Sequence, residues 1–449
     1  MALVYRWLRR LGLVILALLV LYAVGRPLQM WMDGFYSGVR EPYLQMLSAN
    51  AVSLRWQSKE PTMGVVRYGE RADKLDQSIK ENRTDEEHEV RLTQLKPDTK
   101  YFYSAGDEAK ENFTGSSFWF KTAPVDSQAV RFWVTGDQGY PNIIQDQVRD
   151  AMLGWLKQNP RSSENAPLDF WMTTGDNAYR SGSNKQFQAG FFEPYKTILR
   201  NTPVWPVYGN HDSRRWVFFD LFTFPTKAES GGVASGSEHY YSFDYANIHI
   251  VVLDTEEGDL DVDGVMLNWL KKDLQETKQQ WLLAFSHHPP YTKGSHNSDN
   301  KRDSRGRLIA VRENILPILE TAGVDVVLSG HSHMYERSEL MNCHYGDSSS
   351  FNKSMIRQET KNNKYYKKEN KISANSGTIY TVIGSSSKVD NGPLDHPALP
   401  HSYQEAGSIV LDIKENKLQA YFINQDGFVS DQFEIVKGTN TGVISRACK

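Results

Sequence analysis

Between residues 40 and 124 the apolar positions recur at every second residue. Val52, Leu54 and Trp56 alternate with Ser53 and Arg55, the period of a strand with one face buried. Val65-Val66-Arg67-Tyr68 and Val90-Arg91-Leu92 continue the pattern, and Phe118-Trp119-Phe120 supplies a last strand before a Thr122-Ala123-Pro124 exit. The run Leu95-Lys96-Pro97-Asp98-Thr99-Lys100-Tyr101 has the spacing of a tyrosine corner, in which the Tyr hydroxyl bonds back to upstream backbone. An all-β sandwich is predicted for 40–124. It shows no cluster of residue types used in catalysis, so a scaffolding role is expected.

From about residue 129 the period changes. Apolar strands are predicted at 129–135, 168–173, 203–208, 248–253, 281–285 and 325–329, each followed by a polar, Gly- or His-rich turn. Helical patterns lie between several of them: 143–158, with Ile144, Val148, Met152 and Trp155 on one face, then 262–274 and 307–322. This alternation argues for an α/β domain over 128–436. Short strands in 377–436, such as Ile409-Val410-Leu411, would complete its sheets. Catalytic groups of such domains gather on loops at the strand carboxyl ends. The stretch 343–375 breaks the pattern and is rich in Ser, Asn and Lys. It reads as a solvated insertion loop in preference to a patch for anionic substrates or lipid head groups. Residues 437–449 form a tail.

The first 32 residues stand apart. Arg6, Arg9 and Arg10 precede an uncharged apolar run from Leu11 to Gly25, which is an export signal by composition. Its length lies between a signal-peptide core and a full span. Ala23 and Gly25 are compatible with cleavage; an uncleaved segment would be a single membrane anchor with the body outside the cytoplasm. A periplasmic, secreted or membrane-anchored protein is therefore expected. The net charge of −3 over 449 residues gives no electrostatic case for nucleic acid, and none is expected as a partner. Cys343 and Cys448 are compatible with one disulfide in an oxidising compartment, or with two free thiols.

The chemistry is concentrated in five motifs, each directly after an apolar strand. They are Gly136-Asp137-Gln138-Gly139, Gly175-Asp176-Asn177-Ala178-Tyr179, Gly209-Asn210-His211-Asp212, His287-His288-Pro289-Pro290 and Gly330-His331-Ser332-His333. Singly, each is compatible with a turn or a capping pair. Together they offer carboxylate, amide and imidazole donors without cysteine, a set that suits hard or borderline transition ions and not a structural zinc site. So many donors exceed the need of one ion; two ions roughly 3.5–4 Å apart fit better.

Asp137, the pair Asp176 and Tyr179, Asn210-His211, His287 and His331-x-His333 resemble the metallophosphoesterase signature. Tyr179, the run Gly330-His331-Ser332-His333-Met334-Tyr335-Glu336-Arg337 and Pro42-Tyr43-Leu44-Gln45 are similar to the purple acid phosphatase branch. The resemblance covers about 40–436. It implies a fibronectin type III-like sandwich followed by a layered α/β/β/α domain of two packed mixed sheets flanked by helices. It implies that Asp137, Tyr179 and His333 hold ferric iron, that Asp176 bridges, and that Asn210, His287 and His331 hold divalent iron, zinc or manganese. His211 would lie near the leaving group, and His296, nine residues after His287, would act in proton handling. His288 receives no role.

The activity so implied is hydrolysis of small phosphate esters, monoesters foremost, with a metal-held hydroxide as nucleophile. A phosphodiesterase acting on nucleotides or lipids keeps the same site. A cell-surface binding protein with a degenerate site is the alternative of another class, but none of the expected ligand positions is missing.

Overall fold

The computed structural model describes residues 38–125, 129–162, 166–213, 215–359, 365–369 and 374–438, with Trp7, Gly12, Tyr36 and Cys448. The export segment lies outside the described residues apart from Trp7 and Gly12. Among the described residues no helix is long and apolar enough to cross a membrane.

The sandwich is built from β1 (Arg40–Gln45), β2 (Val52–Thr62), β3 (Val65–Gly69), β4 (Gln77–Lys80), β5 (Asp85–Leu92), β6 (Lys100–Gly106) and β7 (Trp119–Lys121). One sheet has the order β1-β2-β5 and the other β4-β3-β6-β7, all antiparallel. Leu54, Trp56, Val90 and Leu92 meet Val66, Tyr68, Tyr103 and Phe120 in the core. The tyrosine corner is present: Lys96 N donates to Tyr101 Oη at 3.0 Å.

The second domain continues with β8 (Val130–Thr135), α1 (Ile143–Gln158), β9 (Phe170–Thr173), β10 (Val204–Trp205), β11 (Tyr241–Tyr245) and β12 (Ile248–Leu253). Next come α2 (Val265–Glu276), β13 (Trp281–Ser286), β14 (Val326–Ser329), β15 (Tyr335–Arg337), β16 (Leu340–Met341), β17 (Ile356–Gln358) and β18 (Tyr366–Lys368). The last strands are β19 (Ile379–Ile383), β20 (His401–Tyr403), β21 (Gly407–Lys414), β22 (Lys417–Asn424) and β23 (Val429–Lys437). Among the described residues these form two mixed seven-stranded sheets, β10-β9-β8-β21-β22-β23-β18 and β11-β12-β13-β14-β19-β15-β20, with a β16-β17 ribbon.

The apolar runs of the second sheet are continuous because both faces are covered. Ile250, Val252, Leu283, Phe285 and Leu328 join the core shared with the first sheet. Their neighbours Val251, Leu253, Leu282, Ala284 and Val327 pack instead with Met266, Leu267 and Leu270 of α2. On the other side α1 buries Val148, Met152, Trp155 and Leu156, and its N-cap Asn142 accepts from Gln145 N at 2.9 Å.

Three elements differ from the sequence pattern. The strand expected at 203–208 pairs only at Val204–Trp205, because Pro203 and Pro206 bracket it and neither has an N–H to donate. The helix expected at 307–322 contains a π turn at Val311–Ile315 before Leu316–Thr321; Pro317 cannot supply the α-type bond there. The third is the basic insertion. It is not simply solvated: β18 pairs parallel to β23 as an edge strand, Tyr366 is buried, and Lys368 reaches a buried carboxylate at 2.8 Å, that of Asp325. Cys343 at its start is disulfide-bonded to Cys448.

The sandwich is seated on the segment that leads to the third motif. Arg40, fully buried, donates to Asn184 at 2.5 Å, to Gln188 at 3.1 Å and to Glu87 at 3.1 Å, with its guanidinium 4.3 Å from the Phe192 ring centroid. Tyr43 Oη donates to Leu221 O at 2.6 Å.

One buried histidine gives the fold a pH dependence. His249 Nδ1 lies 2.7 Å from Asp244 and Nε2 2.8 Å from Asp273. Burial disfavours the imidazolium, but the hydrogen bonds and charges of the two aspartates outweigh it and lift the pKa to about 9. A folded pKa above the unfolded value of about 6.5 means stabilisation that is complete below pH 6.5 and lost as pH rises through 9, on the order of 3 kcal/mol at most. Urea unfolding between pH 6 and 10 should show this fall in the wild type and a shallower one in His249→Gln. Parallel profiles would contradict it.

Candidate metal centre

Parallel strands from both sheets end at one edge, and the five motifs leave from those ends. Asp137 comes two residues after β8, Asp176 three after β9, His287 directly after β13 and His331 two after β14. Asp137, Asp176 and His331 have φ of 55°, 54° and 68°. Side chains rarely adopt this left-handed conformation, and such strain collects at functional sites. The chains also approach very closely. A Cβ on Gly209 would lie 2.2 Å from Asp176 N, and one on Gly330 would lie 2.6 Å from Asp137 Oδ2, so glycine is required at both.

Two groups of donor atoms result. In the first, Tyr179 Oη is 3.1 Å from Asp137 Oδ1, 3.0 Å from Asp176 Oδ2 and 3.3 Å from His333 Nε2, and His333 Nε2 is 3.4 Å from Asp137 Oδ1. In the second, His287 Nε2 is 2.9 Å from Asn210 Oδ1, 3.1 Å from His331 Nδ1 and 3.5 Å from Asp176 Oδ1. Asp176 gives one oxygen to each group.

The ring orientations are fixed from behind. His287 Nδ1–H donates to Thr174 O at 2.8 Å, and His333 Nδ1–H donates to Asp390 Oδ2 at 2.7 Å. Each Nε2 is then left with its lone pair toward the site. His331 Nε2 is 2.6 Å from Ser304 Oγ. In the second group, lone pairs of imidazole, amide and carboxylate converge with no proton to share, an arrangement that suits a cation.

The electrostatics agree. Burial raises the Asp176 carboxyl, and the Asp137 charge adds to the rise. Burial, then the charge of Asp176, lifts the neighbouring Asp212 to about 8. Burial followed by the charges of Asp137 and Asp176 pushes the Tyr179 phenol well above its usual range. Burial holds His331 well below its usual range, in the neutral form a ligand needs. Of the three carboxyls Asp137, Asp176 and Asp212, Asp137 alone goes down: burial opposes its ionisation, but His333 and His287 overcome it. Crowded oxygens in a dry pocket lack positive charge, which bound cations would supply.

The remaining histidines divide. His211 sits half-buried at the site, its N–H donating to Asp176 at 2.7 Å and its Nδ1–H to Arg180 O at 2.8 Å, with its ring 4.5 Å from that of Tyr179. His296 is half-buried, bonded through Nδ1 to Asp303 at 2.8 Å and stacked on His331 at 3.9 Å. His288 is fully buried; its N–H donates to Thr255 Oγ1 at 3.0 Å, and its Nδ1 lies 3.0 Å from the same hydroxyl. Asp390, Asp212, Ser304 and the Thr174 carbonyl are not marked as site groups by the sequence pattern. Asp212 at least stands inside a motif; there it accepts from Asn177 N at 2.9 Å and Gly209 N at 3.0 Å.

The fold and this constellation are those of the metallophosphoesterase family. The family model for calcineurin-like phosphoesterases matches residues 130–335, and that for the N-terminal domain of purple acid phosphatases matches 40–122. Together they span more than half of the chain, which belongs to the purple acid phosphatase branch of these enzymes. Purple acid phosphatase 18 of Arabidopsis thaliana is 28% identical over 263 residues, 57% of this chain and 54% of its own length. Purple acid phosphatase 1 of Ipomoea batatas is 27% identical over 363 residues, 76% of this chain and 68% of its own. The solved structure of a purple acid phosphatase from yellow lupin (Lupinus luteus) seeds shares the fold, with a TM-score of 0.68 at 18% identity over 88% of this chain and 74% of that one. The chain spans about half the length of the first curated relatives it matches.

Proposed function

We propose that the protein hydrolyses phosphate esters, monoesters foremost, at a binuclear metal centre. The observation that carries this is Asp176, whose two oxygens serve two separate donor groups. Asp137, Tyr179 and His333 would hold ferric iron, and Asn210, His287 and His331 divalent iron, zinc or manganese. Bound there, the ions supply Lewis acidity toward water and toward the phosphoryl oxygens.

The chain's own groups do the rest. His211, oriented by its bond to Arg180 O, keeps Nε2 to hold a proton for the departing alkoxide. Asp303 turns His296 in the same way for proton handling. The basic, apolar N-terminus and the Cys343–Cys448 disulfide both support work outside the cytoplasm.

Turnover of p-nitrophenyl phosphate against bis(p-nitrophenyl) phosphate tests the substrate class. Faster turnover of the monoester is expected; a preference for the diester would make the protein a phosphodiesterase. Tyr179 tests the ferric assignment. A phenolate on ferric iron gives a visible charge-transfer band, so the oxidised protein should be coloured and Tyr179→Phe colourless with much of its hydrolysis retained. A colourless, fully active wild type containing only zinc or manganese would contradict the ferric assignment.

A further inference from the structure

Beside the second donor group, the chain makes a turn that the chemistry above does not use. Ser304, Arg305 and Gly306 are consecutive left-handed residues, with φ of 48°, 58° and 81°. Two of them carry side chains, so the turn is unfavourable by itself. It is held from outside: Arg305 Nη2 pairs with Glu256 at 2.5 Å, Arg307 Nε lies 3.3 Å from the same carboxylate, and Arg307 Nη1 donates to Thr255 O at 3.0 Å.

The turn presents one hydroxyl to the site. Ser304 Oγ lies 2.6 Å from His331 Nε2 and 2.9 Å from Asp303 Oδ1. Asp303 Oδ1 is also 2.8 Å from His296 Nδ1, and its other oxygen accepts from Asn297 N at 2.8 Å. The protons can then be assigned. An ionised carboxylate only accepts, so the serine proton points to Asp303. Ser304 Oγ therefore accepts from His331 Nε2–H, which leaves the lone pair of His331 on Nδ1, the atom 3.1 Å from His287 Nε2.

We infer that Ser304 is a positioning residue for the second metal. Its hydroxyl fixes the tautomer of His331, and through Asp303 it ties that ligand to His296. This rests on the binuclear reading. The first donor group is not involved, because its histidine, His333, is oriented by Asp390.

The test uses Ser304→Gly, which keeps the left-handed backbone at no steric cost and removes the hydroxymethyl group, with Ser304→Ala, which removes only the hydroxyl, as a second variant. The metal-loaded proteins are titrated with a chelator while released metal and the visible band are followed. Loss of a ligand's outer partner costs roughly 10–100-fold in metal affinity. The variants should release one equivalent at correspondingly lower chelator and keep the band. Release like wild type, or loss of both ions together, would overturn the assignment of Ser304. A wild type that binds fewer than two ions would instead overturn the binuclear reading.

Discussion

Asp176→Asn should abolish hydrolysis and empty both metal positions while the fold survives. The substitution keeps size and shape but turns one carboxylate oxygen into an NH₂ group that cannot bind a cation. Whichever way the amide turns, one donor group loses its shared oxygen, because Oδ1 faces His287 and Oδ2 faces Tyr179. The shared negative charge that would hold two cations close together also goes. The loss of activity should exceed the roughly 100-fold that outer partners of ligands typically cost. Metal analysis is the decisive readout. A variant with two equivalents per chain would show that Asp176 is not the bridge.

The largest effect on stability is expected far from the site, at Asp325. This carboxylate lies between two ammonium groups, 2.8 Å from Lys368 Nζ and 2.6 Å from Lys437 Nζ, and all three side chains are at most 2% exposed. Lys437 shows the tension: burial lowers its pKa to about 8 although Asp325 pulls the other way. Asp325→Asn removes the negative charge between them that favours the folded pair. Breaking a buried pair in this way costs about 3–5 kcal/mol. Urea unfolding at pH 7 measures it, and a loss below about 1 kcal/mol would mean that the lysines find compensation elsewhere. The cost should fall on the edge of the first sheet, since Lys368 belongs to β18 and Lys437 to β23.

These two residues also mark what the sequence could and could not convey. The proposed metal ligands are legible because each of the five motifs follows its own apolar strand within a few residues, so periodicity and residue type coincide locally. The tyrosine corner is legible for the same reason. Asp390 is not: it orients His333 from 57 positions away, on a Gly384-Ser385-Ser386-Ser387 loop that offers no ligand of its own. Lys368 is not legible either. In a stretch dense with lysine it looks like a solvated charge, and only the fold places Asp325 within reach of it. Ser304 is an ordinary polar residue until its left-handed backbone and its contact with His331 are seen.

Reconstitution decides whether the protein is a two-metal hydrolase. Metal-free protein is titrated with ferric and divalent ions while bound equivalents and release of phosphate from p-nitrophenyl phosphate are followed together. The predicted result is no turnover without metal and full turnover at two equivalents per chain. Full turnover of the metal-free protein, or saturation at a single equivalent, would contradict it.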